Sequence, residues 1–359
     1  MSEINISDVH IELPKGKSLD RLHMLRRFSD NVQALGDRIG FAVSARGWGY
    51  QLAGFGLITK DDIDLAERLI HEAEDLGYIP CDFLAKDESR AFSCVEIPHD
   101  ITPVQYLGRL LSLAQNAEKY YVPDWWEGER FYIQCIVEKI DLKTLWLPTS
   151  SRFHVPIATT KGWSSKFQRD EYGRRFKEAE EKGLECVLMV GTDHDPPGVY
   201  QYDNLRKNLE DVQHHVWSDG THGYDPRDLI IERFALTHVQ IENLALPWIN
   251  NLITSSGQDL GNPNHAHFHL PYVQNYIKAF GRRKVELNAL LMNPVEAQKI
   301  YEDALLYGGE HWNGLGESVL SQFDAKRSEV VNEIQSFRRE NGIDDTIESV
   351  LAKIRGEHR

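Results

Sequence analysis

Apolar residues recur at three- and four-residue steps from Leu19 to about Gly40, at Leu22, Leu25, Phe28, Val32 and Leu35, and this spacing predicts an amphipathic helix. A second helical pattern follows in "TKDDIDLAERLIHEAEDLG". Thr59 is placed to cap it, Ile63, Ala66, Leu69, Ile70 and Ala73 line one face, and Gly77 stops it. Between the two lies "FAVSARGWGYQLAGFGLI", and after them "YIPCDFLAKDESRAFSCVEI" reads as irregular to extended. "TPVQYLGRLLSLAQNAEKYY" is another helix, a connector. Beyond it the pattern changes. "RFYIQCIVEK", "FHVPIAT", "ECVLMVG" and "DLIIERFAL" read as strands, separated by the short helix "IDLKTLWL", the charged helix "KFQRDEYGRRFKEAEEKG" and the helix "VYQYDNLRKNLEDV". Strand alternating with helix implies a parallel sheet with right-handed crossovers. A long polar helix from about Glu317 carries Leu320, Phe323, Val330, Ile334 and Phe337 along one face.

These patterns divide the chain into a tail at 1–18, a small helical unit with an extended end at 19–95, a connector at 96–124, an α/β domain at 125–255 and a C-terminal helical extension at 256–359. The size and order of the 19–95 unit suit a winged-helix module. The fold class expected is therefore multidomain, α/β together with α+β. With 359 residues there is room for two or three cores. No apolar run approaches the roughly 20 residues that span a bilayer, and the first residues hold no apolar signal core, so a cytoplasmic, non-membrane protein is expected. The four cysteines, Cys81, Cys94, Cys135 and Cys186, form no Cys-x-x-Cys pair, which fits a reducing compartment and not a cysteine zinc site. The formal net charge of −15 counts against a passive nucleic-acid coat. It leaves room for an enzyme with a local basic groove and metal-neutralised carboxylates.

Candidate chemistry concentrates at "VLMVGTDHDPPG", residues 187–198. The apolar run suits a strand covered on both faces. Asp193 and Asp195, two apart, leave the same side of an extended segment, and the Pro-Pro-Gly that follows forces a turn. Two carboxylates thus project from the carboxyl end of a buried strand, where open α/β sheets place their ligands. The first strand also ends in a carboxylate, Glu138, and the second runs into a basic glycine turn, Lys161-Gly162. Parallel strands bring these ends to one edge, giving three carboxylates and a lysine, a donor set suited to Mg²⁺ facing a phosphate. Lys139, beside Glu138, is a second candidate for a phosphate contact, although its place on the strand favours the opposite, solvated face. The plainer alternative for the aspartates is a polar turn with one of them capping a helix. His265, His267 and His269 in "HAHFHL" share a side if extended, but with no further ligand nearby they read as a polar loop or strand. "YYVPDWW" reads as an interdomain plug rather than a base-stacking platform.

The order strand–Glu, glycine turn, strand–Asp-x-Asp-Pro-x-Gly resembles a TOPRIM domain, a Rossmann-like metal-binding sheet. More narrowly, the chain resembles the A subunit of topoisomerase VI, a type IIB DNA topoisomerase, and the related meiotic double-strand-break transesterase. "IVEK" at 136–139, "ERFALTHVQIENLALP" at 232–247 and "KVELNAL" at 284–290 are similar to segments of that family. So is the spacing of Arg46 and Tyr50 in "RGWGYQL", with Gly49 where the family often has an aromatic residue. The resemblance spans about residues 20–300, in order. It implies a DNA-cleaving transesterase that is Mg²⁺-dependent and homodimeric, with tyrosine and metal site drawn from different protomers. Tyr50 would be the nucleophile, Arg46 the phosphate stabiliser, and Glu138, Asp193 and Asp195 the metal ligands, with Glu138 counted among the catalytic residues. Double-stranded DNA would be the partner and the location cytoplasmic or nucleoid-associated. ATP-driven strand passage would need a separate GHKL-type ATPase subunit, whose motifs this chain lacks. A TOPRIM nuclease using metal-activated water would need the carboxylates but not Tyr50, and a non-catalytic DNA-binding or assembly subunit would need neither. From composition alone Tyr50 reads as a core or interface tyrosine.

Overall fold

The uninterrupted apolar run at residues 187–190 becomes the interior of a four-stranded parallel sheet, in a computed structural model that describes residues 6, 9–14, 19–80, 83–85, 98–160, 166–254 and 257–356. The chain divides into two compact units, Met1–Lys86 with Glu129–Gly316, and Asp87–Gly128 with Glu317–Arg359.

The first unit opens with three helices, α1 (Leu19–Ile39), α2 (Ala45–Gly54) and α3 (Ile63–Asp75). The α1 stripe is buried at Leu25, Phe28, Val32 and Leu35, while Leu22 is exposed. Helix α2 is capped by Ser44, whose Oγ accepts the Gly47 N–H at 3.1 Å. The extended end expected after α3 lies largely outside the described residues; what is described there is a parallel bridge between Val43 and Leu84.

Pro103–Ala114 (α4) belongs to the second unit. The sheet and its crossovers return to the first: β1 (Phe131–Val137), α5 (Ile140–Arg152), β2 (Ile157–Thr159), α6 (Lys166–Glu181), β3 (Glu185–Gly191), the single turn α7 (Pro196–Val199), α8 (Gln201–Glu210) and β4 (Ile230–Ala235). All four expected strands are present, in spatial order β2-β1-β3-β4 and all parallel. The two-residue period of β1 sorts its side chains. Tyr132 and Gln134 meet α6, through the Phe176 ring and the Tyr172 carbonyl. Phe131 and Cys135 meet Trp312 and Tyr301 on the other face. That second face is closed by Trp146 of α5, packed on Phe234 and Tyr301.

The rest of this unit is α9 (His238–Asn243), α10 (Pro271–Phe280), a 3₁₀ turn Leu287–Met292, and α11 (Pro294–Tyr307). Residues 256–316, read from the sequence as part of a C-terminal extension, belong to the sheet's unit for a physical reason. Val285 pairs antiparallel with His194, and the Leu287 N–H donates to Asp193 at 2.7 Å, so this segment completes the edge of the sheet. The "HAHFHL" histidines lie in turns, not an extended strand.

The second unit holds α4, α12 (Val319–Glu340) and α13 (Ile343–Arg355). The expected long helix breaks at Gly342, whose left-handed backbone separates α12 from α13. The Trp125 and Trp126 rings pack edge-on against Phe323 inside this unit. Among the described residues no helix is long and apolar enough to cross a membrane.

Candidate active site

The register of the sheet decides which residues meet. Val137 pairs with both Thr159 and Gly191, and Gly191 with Ala235 across a bulge, so the carboxyl ends of all four strands finish level. Glu138 leaves the end of β1, its own N–H donating to the Gly191 carbonyl at 2.9 Å. Asp193 and Asp195 follow β3 in an extended segment, and the residue between them turns the other way. His194 is buried among Trp248, Tyr276 and Phe280, while both aspartates line an open cleft of about 1020 Å³. The alternation read from "DHD" therefore holds.

Arg46 and Tyr50 line the same cleft. Four residues apart on α2, they share one face of the helix. Two glycines let that helix come close: a Cβ on Gly47 would stand 2.8 Å from the Asp141 carboxyl carbon, and one on Gly49 2.9 Å from the Ile63 carbonyl oxygen. Asp141, at the start of α5, accepts hydrogen bonds from the Ser44 N–H, from Ser44 Oγ at 2.6 Å and from Asn288 Nδ2 at 2.8 Å. This buried carboxylate fixes the capped end of α2 above the sheet edge.

Within the cleft most charges are already paired. Lys139 Nζ bridges Glu138 Oε1 and Asp193 Oδ2, each at 2.9 Å, instead of standing solvated on the opposite face. Glu138 Oε2 also accepts the Asp193 N–H at 3.2 Å. Asp195 Oδ1 accepts the Gly198 N–H at 2.7 Å and caps α7, so capping and cleft-lining coincide in one residue. Burial, with repulsion from Glu138 and Asp195, pushes the Asp193 carboxyl up against the pull of Lys139. Burial likewise raises Asp195, against the Gly198 hydrogen bond.

Arg46 holds three carboxylates. Its Nε and Nη2 reach Glu286 Oε2 and Oε1 at 2.9 and 3.1 Å, and its Nη1 reaches Asp64 and Glu67, each at 3.0 Å. The Tyr50 hydroxyl donates to Glu286 Oε2 at 3.0 Å, and the residue as a whole is 3% exposed. Burial and the negative Glu286 both raise the phenol, with Arg46 opposing them. Burial alone would raise Glu286, but Arg46 and the lysines Lys139 and Lys284 hold its carboxyl below the ordinary value.

Six carboxylates, Asp61, Asp64, Glu138, Asp193, Asp195 and Glu286, thus line the cleft against four cations, Arg46, Lys60, Lys139 and Lys284. The excess of hard oxygen donors, with two carboxyls raised by burial and then by neighbouring carboxylates, suits a divalent cation. Among the described residues no group of three or more His, Cys, Asp or Glu side chains is placed so that it could hold a metal ion. Lys161 lies outside the described residues. Glu286 is the site residue that sequence reasoning passed over as one. Its signals are an isolated carboxylate inside the apolar stretch "KVELNALLM" and the place of "KVELNAL" in the family resemblance, neither of which marks a site role by itself. No protein-family model matches the chain, and no curated protein matches it significantly in sequence.

Proposed function

We propose that the chain cleaves double-stranded DNA at this cleft by Mg²⁺-dependent transesterification onto Tyr50. The observation that carries the reading is the meeting of Tyr50 and Arg46 with Glu138, Asp193 and Asp195 in one cleft, at the carboxyl edge of a parallel sheet. In domain terms it assigns a winged-helix-like module to residues 19–95 and a TOPRIM sheet to 125–255, as in the topoisomerase VI A subunit. Support comes from the capped helix that bears Arg46 and Tyr50 and from the four parallel strands.

Glu138, Asp193 and Asp195 would hold the metal, which supplies Lewis-acid relief of charge on the phosphoryl oxygens when bound. Arg46 presents its guanidinium fork to the non-bridging oxygens. The Tyr50 oxygen attacks phosphorus as its proton leaves to solvent, the bond from phosphorus to the departing strand's oxygen breaks, that oxygen takes up a proton from solvent, and the phosphotyrosyl ester conserves the linkage for resealing. Lys139, which would be released from Glu138 and Asp193 if these held a metal, and Lys161 are the lysines of the phosphate path. Two strands need two nucleophiles, so a homodimer belongs to the reading. Tyrosine and carboxylates line one cleft within a single chain, which supports a site assembled in one protomer over one that draws them from two.

A hydrolytic TOPRIM nuclease is the second reading, favoured by the buried, proton-holding state of Tyr50. The deciding experiment incubates end-labelled duplex DNA with protein and Mg²⁺ and quenches with detergent. Covalent protein–DNA adduct in wild type, lost in Tyr50→Phe and in Glu138→Gln, is the expected result. Free-ended cleavage that survives Tyr50→Phe but not Glu138→Gln assigns water as nucleophile. Absence of any cleavage assigns the chain to a binding or assembly role, or to an enzyme requiring an ATPase subunit, which a pull-down then seeks.

A further inference from the structure

We infer that Glu286 is a built-in occupant of the phosphate position, a carboxylate lock that keeps Arg46 and Tyr50 engaged until a DNA phosphate displaces it. The inference rests on the proposed DNA-cleaving reading and deepens it.

The geometry is that of a substituted ligand. A guanidinium receives a phosphate through two parallel N–H bonds, and the Nε/Nη2 edge of Arg46 makes that pair of bonds to the two oxygens of Glu286, at 2.9 and 3.1 Å. The remaining nitrogen, Nη1, is committed to Asp64 and Glu67 on α3. The Tyr50 hydroxyl, the nucleophile of the proposed reading, is held by the hydrogen bond it donates to Glu286 at 3.0 Å. One carboxylate thus takes up both the anion-binding edge and the nucleophile. A phosphate entering here meets a like charge in the position it needs.

The backbone on either side of Glu286 is pinned. Val285 pairs with His194, and the Leu287 N–H donates to Asp193. The lock is therefore anchored to the loop that carries Asp193 and Asp195, and only its side chain is free to swing. The charged groups around it are Arg46 on α2, Asp64 and Glu67 on α3, Lys139 and Asp193 at the strand ends, and Lys284 on its own segment. A proton-accepting role for Glu286 fits the pair less well. A carboxyl held below its ordinary value is a weak base toward a phenol raised above its own.

The test measures binding of a short labelled duplex in EDTA, and adduct formation with Mg²⁺. It compares wild type, Glu286→Gln, Asp61→Asn, Arg46→Gln and the Arg46→Gln/Glu286→Gln double variant. Asp61→Asn removes a cleft charge that does not touch Arg46 and reports the generic electrostatic gain, about twofold or less. Glu286→Gln keeps the shape and is expected to bind duplex on the order of tenfold tighter than wild type. That gain disappears in the Arg46→Gln background, and the rate of adduct formation rises. Binding no tighter than Asp61→Asn, or a gain that persists without Arg46, overturns the lock. Unchanged binding with adduct formation lost overturns it in favour of a proton acceptor. Where wild type and all variants neither bind nor cleave DNA, the DNA reading fails, and the lock with it. Should Glu286→Gln lose its cooperative melt, Glu286→Asp, which withdraws the carboxylate by one methylene, is expected to shift binding in the same direction.

Discussion

Asp141 sets where Arg46 and Tyr50 stand, although it lies outside the cleft's lining. It is 1% exposed and accepts from the Ser44 backbone and hydroxyl and from Asn288. Asp141→Ala strands those donors in a buried place and is expected to cost about 2–4 kcal/mol in urea denaturation. Asp141→Asn, which turns a donor toward donors, should lose roughly half as much. The same reasoning applies to charge at His194. Burial, with Arg233 and His238 nearby, lowers its imidazole to about 3, below the ordinary 6.5. A base depressed in the fold binds its proton more readily when unfolded. Its stabilising share is therefore complete above pH 6.5 and is lost as pH falls from there toward 3. Denaturation midpoints at pH 7 and pH 5 should show wild type losing about 2 kcal/mol more than His194→Gln. An equal loss in both proteins removes His194 as the cause. Neither residue announces itself in the sequence. Asp141 reads as an ordinary first-turn acid and His194 as the spacer of "DHD", because their partners lie 97 and 82 residues away.

The element that the pattern left unassigned is α2, the one carrying Arg46 and Tyr50. Gly47, Gly49 and Gly54 depress helix propensity by about 1 kcal/mol each, so "ARGWGYQLAG" offers little local signal. Tertiary packing overrides that cost. A Cβ on Gly54 would stand 2.4 Å from both the Cα and the carbonyl oxygen of Met292, backbone atoms that cannot move aside. Gly54→Ala is therefore expected to lower stability by roughly 1–3 kcal/mol, despite alanine's better propensity. A raised melting temperature would show that the contact gives way. The strands were legible for the opposite reason. Their signal is local: short apolar runs rich in β-branched residues, and for β3 a run long enough to place it inside the sheet, between β1 and β4.

At the scale of the molecule, a net charge of −15 and a cleft with more carboxylates than cations make cation binding the main electrostatic question. The Asp193 and Asp195 carboxyls are raised by burial first and by repulsion from neighbouring carboxylates, so in the fold they gain a proton at higher pH than in the unfolded chain. As acids with raised values they weigh against the fold above neutrality, and that penalty lifts as pH falls. A divalent cation relieves the same repulsion where protons do not. Millimolar Mg²⁺ is expected to raise Tm by a few degrees near pH 8, progressively less toward pH 5, and hardly at all in Glu138→Gln. A shift independent of pH and of Glu138 would place the cation elsewhere. Read alone, the sequence determined the parallel α/β sheet, the strand ends at Glu138 and "DHD", and the four-residue spacing of Arg46 and Tyr50. The strand ends rest on local apolar runs, the sheet on the alternation of strands with helices, and the Arg46–Tyr50 spacing on the family resemblance. Only the tertiary structure decided that Lys139 spans Glu138 and Asp193, that α2 is a helix docked over the sheet edge, and that Glu286 holds both Arg46 and Tyr50. Those facts come from contacts between residues 54 to 240 positions apart, which no local pattern encodes.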